Sequence, residues 1–427
     1  MKKIVKMSLA AAMMMGISAV SAQADGMDIL TNIKADGQIR ARYEMVDTDN
    51  ATPNANAFTN RLSLGVGADL MGTNWLSAYV QMTDVHALNN NYNDAYAGNG
   101  VENNNIVKDP EQTRLTQAYI DMKYGKTKLR VGRQAINLDN LRFVGTVDWR
   151  QMPQTFDAYT LTDSTIPNLD LFASYVTQVN GVGHEATTAD KEIKDTRTVL
   201  LNASYKVMPE LKITAYDYMI GTGTDGHTTG SDTYGIALSG DVKLGTAKLN
   251  YRAEYAKQSD PTMENSGYNN SGINVDADYM NFEIGANVNG ILAGLQYEVL
   301  SGTGNGETTF QTPLATLHAH NGWADMFLTT PTKGLEDLSV SLGYTAADFG
   351  TLKAIYHDYT SEVDSIDYGT ELDIVYTRPC RLVKNLTATL KYADYRAGDT
   401  VAEGNYAAQA VDTTKFWAML DYKFATK

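Results

Sequence analysis

From Ile33 onward the chain alternates apolar and polar side chains with a period of two, and no other feature constrains its fold as strongly. Between Ile33 and Glu44 one face is Ile33, Ala35, Gly37, Ile39, Ala41 and Tyr43; the other is Lys34, Asp36, Gln38, Arg40, Arg42 and Glu44. Leu62, Leu64, Val66, Ala68 and Leu70 alternate with Arg61, Ser63, Gly65, Gly67 and Asp69. The pattern returns at Leu249-Tyr251-Ala253-Tyr255 and at Phe416-Ala418-Leu420-Tyr422-Phe424. Successive side chains of a strand point to opposite faces, so these segments predict strands with one apolar side. Eighteen are predicted: 31–45, 58–71, 74–84, 113–124, 127–135, 154–163, 168–178, 196–207, 210–220, 231–242, 246–257, 278–289, 291–302, 336–346, 349–360, 368–378, 384–396 and 413–424.

The connections carry as much information as the strands. After odd-numbered strands they are long: 46–57, 85–112, 136–153, 179–195, 221–230, 258–277, 303–335, 361–367 and 397–412. After even-numbered strands they are short: 72–73, 125–126, 164–167, 208–209, 243–245, 290, 347–348 and 379–383. On these limits the two sets do not overlap in length. A soluble sandwich has no reason to gather every long loop at one end, whereas a transmembrane antiparallel β-barrel does, with short periplasmic turns and long extracellular loops. Lipid supplies no partners for backbone polar groups, so a sheet that spans it must close. Phe327-Leu328-Thr329-Thr330 could form another strand, but that would invert the parity of every later connection and make the strand number odd; it is placed in the loop 303–335.

Composition excludes the main rivals. The slightly negative mean hydropathy leaves no room for a bundle of membrane helices. A lone cysteine, Cys380, excludes a disulfide scaffold and is read as a small residue in a turn. A net charge of -15 argues against a nucleic-acid partner. Residues 1–24 have the form of a cleaved leader: Lys2, Lys3 and Lys6, an apolar stretch from Met7 to Val20, and Ala22-Gln23-Ala24. Residues 25–427 then form one barrel domain, and losing three lysines and no acids takes the charge from -15 to -18. The 26 tyrosines beside ten phenylalanines are read as an interfacial girdle, because Tyr43, Tyr124, Tyr175, Tyr205, Tyr255, Tyr297, Tyr344, Tyr356, Tyr376, Tyr392 and Tyr422 lie near strand ends on the apolar parity.

Residues 130–158 carry a more specific signal: Arg130-Val131-Gly132-Arg133-Gln134, Leu138-Asp139-Asn140-Leu141-Arg142-Phe143-Val144-Gly145, Asp148-Trp149-Arg150-Gln151 and Phe156-Asp157-Ala158. A second block is Thr316-Leu317-His318-Ala319-His320-Asn321-Gly322-Trp323-Ala324-Asp325, followed by Phe327 and Thr330-Pro331. Together these resemble the alginate-export family of outer-membrane porins, including its porin-like members. The resemblance implies an eighteen-stranded, monomeric channel in the outer membrane of a Gram-negative bacterium, without a cofactor. Its partners would be membrane lipid and lipopolysaccharide, the barrel-assembly machinery and a small polar or anionic solute. It also implies that the loop carrying Arg133, Asp139, Arg142, Trp149 and Arg150 belongs to the constriction. The chain departs from the usual barrel ending, since Phe424 is followed by Ala425-Thr426-Lys427.

By parity Lys34, Arg40, Arg42, Arg61, Arg130, Lys212, Lys248, Arg252, Lys353 and Lys391 face the lumen. They form either an anion-selecting patch or, paired with Asp36, Glu44, Asp69, Asp121, Glu254, Glu283 and Glu298, a charge-balanced wall. The Asn-rich stretch 89–105, with Asp94 and Glu102, offers oxygens of the kind calcium takes but not the twelve-residue spacing of a calcium loop. It is read as a solvated loop, with surface Ca2+ and divalent bridging to lipopolysaccharide left unlocalised. His86, His184, His227, His318, His320 and His357 are read as loop residues without metal-ligand spacing. No Gly-x-Ser-x-Gly elbow is present, and Ser301-Gly302-Thr303-Gly304-Asn305-Gly306 opens a loop rather than a phosphate-binding helix. The expected function is therefore not an enzyme's but that of a porin for passive diffusion. An exporter of an anionic polysaccharide and a surface adhesive barrel are the alternatives.

Overall fold

The computed structural model describes residues 23–24, 27–96, 98–183, 193–221, 230–263, 275–302, 308–398 and 409–426. Residues 1–22 of the expected leader 1–24, His184, His227 and residues 303–307 of the Gly-rich stretch lie outside the described residues.

Eighteen antiparallel strands close into one barrel. They are β1 (Leu30–Thr48), β2 (Ala55–Leu70), β3 (Leu76–Ala87), β4 (Gln112–Tyr124), β5 (Thr127–Gln134), β6 (Thr155–Asp163), β7 (Leu169–Asn180), β8 (Ile193–Met208), β9 (Leu211–Ile220), β10 (Ser231–Leu244), β11 (Ala247–Ser259), β12 (Asp276–Val288), β13 (Ile291–Leu300), β14 (Leu335–Ala346), β15 (Gly350–Thr360), β16 (Asp367–Pro379), β17 (Leu386–Ala397) and β18 (Thr413–Ala425). Every strand begins and ends within three residues of its expected limits. The seam pairs β18 with β1 from Thr413↔Thr48 to Ala425↔Asp36, so the atypical ending leaves closure intact. Phe327–Thr330 lies outside the strands, and Cys380 lies in the turn after β16.

Two expectations need correction. The long and short connections meet at one length: the loops 49–54 and 361–366 are no longer than the turn 380–385. On the β1–β2 side this follows from pairing that continues to Val46↔Ala55, which consumes residues expected in the loop. The tyrosines also divide between two places. Tyr124, Tyr175, Tyr205, Tyr255 and Tyr356 are exposed on the outer face, but Tyr92, Tyr218, Tyr279, Tyr359, Tyr368 and Tyr395 are fully buried inside the barrel.

The outer face is apolar, with Val340, Leu342, Phe282, Ile284 and Leu420 all at least half exposed, while Arg42, Glu44, Glu371 and Asp373 are buried on the inner one. That is the inverse of a soluble barrel and the arrangement that lipid demands. Val340→Arg on this face is expected to cost about 2–4 kcal/mol, whereas Ser341→Arg, one residue along and facing the lumen, should cost far less. Urea unfolding midpoints in phospholipid vesicles would check the difference.

Candidate functional site

Two loops fold back into the outer half of the lumen. Loop 3 (135–154) and the described residues 308–334 of loop 7 form one body: Val144 and Leu314 make a parallel bridge, Gly145 N–H donates to the Leu314 carbonyl at 2.9 Å, and Thr316 N–H donates to the Leu141 carbonyl at 3.0 Å. Gly145 permits this approach, because a Cβ there would stand 2.2 Å from the Thr316 hydroxyl. Gly322 is needed for a second reason. Its φ is +83°, and a Cβ would meet the Tyr359 hydroxyl at 2.2 Å. Leu141 and Val147 also hold positive φ, at 67° and 50°, a cost that the surrounding contacts must offset. Phe143 packs against Tyr216, Tyr279 and Phe310, and Phe327 against Tyr359 and Tyr395. The main hydrophobic core of this barrel therefore lies inside it, between loops and wall. At this level apolar loop residues overlie the inner face that parity gives to polar side chains.

Ion pairs fasten the two loops. Arg142 is 1% exposed; its Nε is 2.9 Å from Glu298, and its Nη2 donates to Asn321 Oδ1 at 3.0 Å. Arg150 bridges Glu44 at 3.1 Å and Asp325 at 3.3 Å. Arg42 joins Glu44 at 2.6 Å and Asp109 of loop 2 (88–111) at 2.7 Å, and donates to the Trp149 carbonyl. Arg61 and Arg40 both reach Asp148, at 2.5 and 3.6 Å. On β16, Glu371 accepts from Ala324 N–H at 2.7 Å and Asp373 from Trp323 N–H at 3.1 Å.

Lys391 of β17 sits where both loops meet the wall. Its Nζ lies 3.6 Å from the centre of the Trp323 ring, 4.3 Å from that of Trp149 and 5.5 Å from that of Trp417. These are three of the four tryptophans in the chain. Nζ donates to His318 Nε2 at 2.7 Å, and His318 Nδ1 donates to Asp325 at 2.6 Å. These partners require a neutral imidazole. Burial lowers His318 to about 3 against the pull of Asp325, and burial lowers His320 to about 4. An unfolded chain binds a proton on these rings below about 6.5, where the folded one does not. The stability that they contribute is therefore lost as the pH falls from 6.5 toward 3. Tryptophan emission should shift to the red across that window, and His318→Gln should reduce the shift.

Of the residues picked from sequence, Arg142, Trp149 and Arg150 meet in this body. Asp139 turns to the wall, accepting from Asn202 at 2.9 Å with Lys212 at 3.9 Å. Arg133 does not face the constriction: it lies on the outer-face parity of Val131 and pairs with Asp157 at 2.7 Å, because its odd position on β5 turns it away from the inward Arg130. Arg130 pairs with Asp121 at 2.7 Å, Arg252 with Glu254 at 2.7 Å and Lys248 with Asp241 at 3.4 Å. His86 and His357 belong to strands rather than loops, beside Glu111 and Asp337. Sequence reasoning missed the joint role of Lys391, Trp323, Trp417 and His318. The His318–Asp325 block was in view, but nothing in it named β17 or β18 as its partner.

A family model described as alginate export matches residues 32–362. Among solved structures, Pseudomonas aeruginosa OpdO is similar with a TM-score of 0.68 at 14% identity, over 94% of this chain and 99% of that one. Pseudomonas aeruginosa OpdK with vanillate gives 0.67 at 13%, over 93% and 100%. Acinetobacter baumannii OccAB4 gives 0.63 at 14%, over 93% and 99%. At these identities the likeness concerns the fold. No curated protein matches the chain.

Proposed function

The chain belongs to the alginate export family, and from that premise we propose that it is an outer-membrane channel for the diffusion of small polar or anionic solutes. The observation that carries this reading is the joined body of loops 3 and 7, which crosses a lumen enclosed by a lipid-facing wall. Such a body leaves room for small solutes rather than for an unobstructed wide pore. Beneath it, a cavity of 590 Å³ lined by Asn250, Glu283, Gln296, Ser339, Ser341 and Lys353 continues toward the short-turn end, a size that suits a small organic molecule. OpdK, whose fold the chain shares, was solved with vanillate, a solute of that scale. Diffusion needs no catalytic group. Lipid, lipopolysaccharide and the barrel-assembly machinery are the partners that an outer-membrane barrel implies.

The family description favours a second reading, export of an anionic polysaccharide. Swelling of proteoliposomes in isosmotic solutes separates the two. Small organic acids and monosaccharides should enter quickly and oligosaccharides slowly or not at all. Equal entry of long uronic-acid oligomers would support the exporter instead.

A further inference from the structure

The body formed by loops 3 and 7 narrows the lumen with buried aromatic side chains, so any movement of it widens the passage. The way each cation is held shows where it can let go. Arg42, Arg142, Arg150, Arg61 and Lys415 all have carboxylate partners within 3.1 Å. Lys391 differs. Its Nζ is held by three indole rings and one imidazole nitrogen, and among the described residues no carboxylate oxygen lies within 4 Å of it. It nevertheless touches Trp149 of loop 3 and both Trp323 and His318 of loop 7, so one ammonium ties both loops to β17. Cation–π contacts are weaker than charge-assisted hydrogen bonds to carboxylate. A carboxylate brought to this ammonium would win it from the cage.

A route to it is present. Trp323 lines the 590 Å³ cavity, while Lys391 stands 3.6 Å from its ring centre; the indole is thus a wall between cavity and ammonium. Lys353 lines the same cavity and also has no carboxylate within 4 Å among the described residues. Glu283 and the Lys248–Asp241 pair stand there too, so the charges of the lining balance, and Lys391 behind Trp323 is the cation without a carboxylate in direct contact that an entering anion would meet. Resting on the channel reading above, we propose that Lys391 is a solute-sensing latch: a small organic carboxylate in this cavity displaces Trp323, takes the Lys391 ammonium from its cage, and releases loops 3 and 7 together. The arginines are held by carboxylates that a solute must outcompete, whereas the lysine is held only by rings.

The test uses the full-length protein in planar bilayers and in proteoliposomes, with sodium propionate compared against sodium chloride at equal ionic strength. In the wild type, propionate should raise open probability about tenfold and shift tryptophan emission to the red. Lys391→Met fills the cage with a neutral chain of similar length; it should open about tenfold more often without propionate and respond to it no further. Trp323→Leu, which leaves Lys391 in place, should give an intermediate result. Heat-modifiable migration on gels confirms that each barrel is closed. Wild-type behaviour in Lys391→Met overturns the latch. Ohmic conductance with no propionate response in either readout also overturns the latch while leaving the channel standing. An emission response without conductance upholds the latch and removes the channel reading.

Discussion

Glu44→Ala is expected to free loop 3 from the barrel wall, lower the stability of the barrel and raise single-channel conductance several-fold. Glu44 is 1% exposed and is the joint acceptor of Arg42 at 2.6 Å and Arg150 at 3.1 Å. Removing one partner of a buried ion pair costs about 3–5 kcal/mol, because the remaining charge stays buried and uncompensated. Here two guanidinium groups are left short. Arg42 keeps Asp109 and Arg150 keeps Asp325, which places the expected loss near the lower end, about 3 kcal/mol. Glu44→Gln keeps an acceptor oxygen and should lose less. Urea midpoints and conductance, measured on the same preparations, check both parts of the prediction.

The second large effect is on selectivity. Arg142→Ala should move the reversal potential in a salt gradient toward cations. It leaves Glu298 with hydrogen bonds from Tyr279 at 2.7 Å and Asn321 at 2.6 Å but without its arginine. Two unit charges 4 Å apart interact by about 4 kcal/mol at an effective dielectric of 20. Even a third of that, left after screening, approaches the roughly 1.4 kcal/mol that changes a ratio tenfold. Arg142→Lys should not restore the wild type, since a single ammonium cannot reach Glu298, Asn321 and Thr312 as the guanidinium fork does. Arg150→Ala should shift the potential less, because Asp325 keeps Lys415 at 2.9 Å and His318 at 2.6 Å.

The barrel was legible in the sequence because lipid imposes one rule on every strand. Each of the eighteen strands repeats the period of two, and a register error of one residue would turn a whole face outward. The same parity placed Arg40, Arg42, Arg61, Arg130, Lys248 and Arg252 on the inner face. It was less informative beyond the strand ends. Arg133 belongs to a motif block with Arg142 and Arg150, yet it sits within β5 on the outer parity, where the period overrides the motif. The loops obey no period. Trp149, Trp323, Trp417 and Lys391 come from loop 3, loop 7, β18 and β17, and their meeting depends on closure of β18 against β1 and on two loops folding inward. The tyrosines show the same boundary. Parity identifies Tyr255 and Tyr356 on the outer face, but Tyr279 and Tyr359 are buried by loop residues Phe310 and Phe327 that share no pattern with them.

The central claim, that this barrel conducts small solutes past an in-folded pair of loops, is tested most directly by single-channel recording of the purified protein in planar bilayers, with Glu44→Ala alongside. The account predicts discrete ohmic steps for the wild type and larger steps for the variant. Wild-type protein that inserts as a closed barrel but never conducts under any of these conditions, or a variant whose steps match the wild type in size, would contradict it.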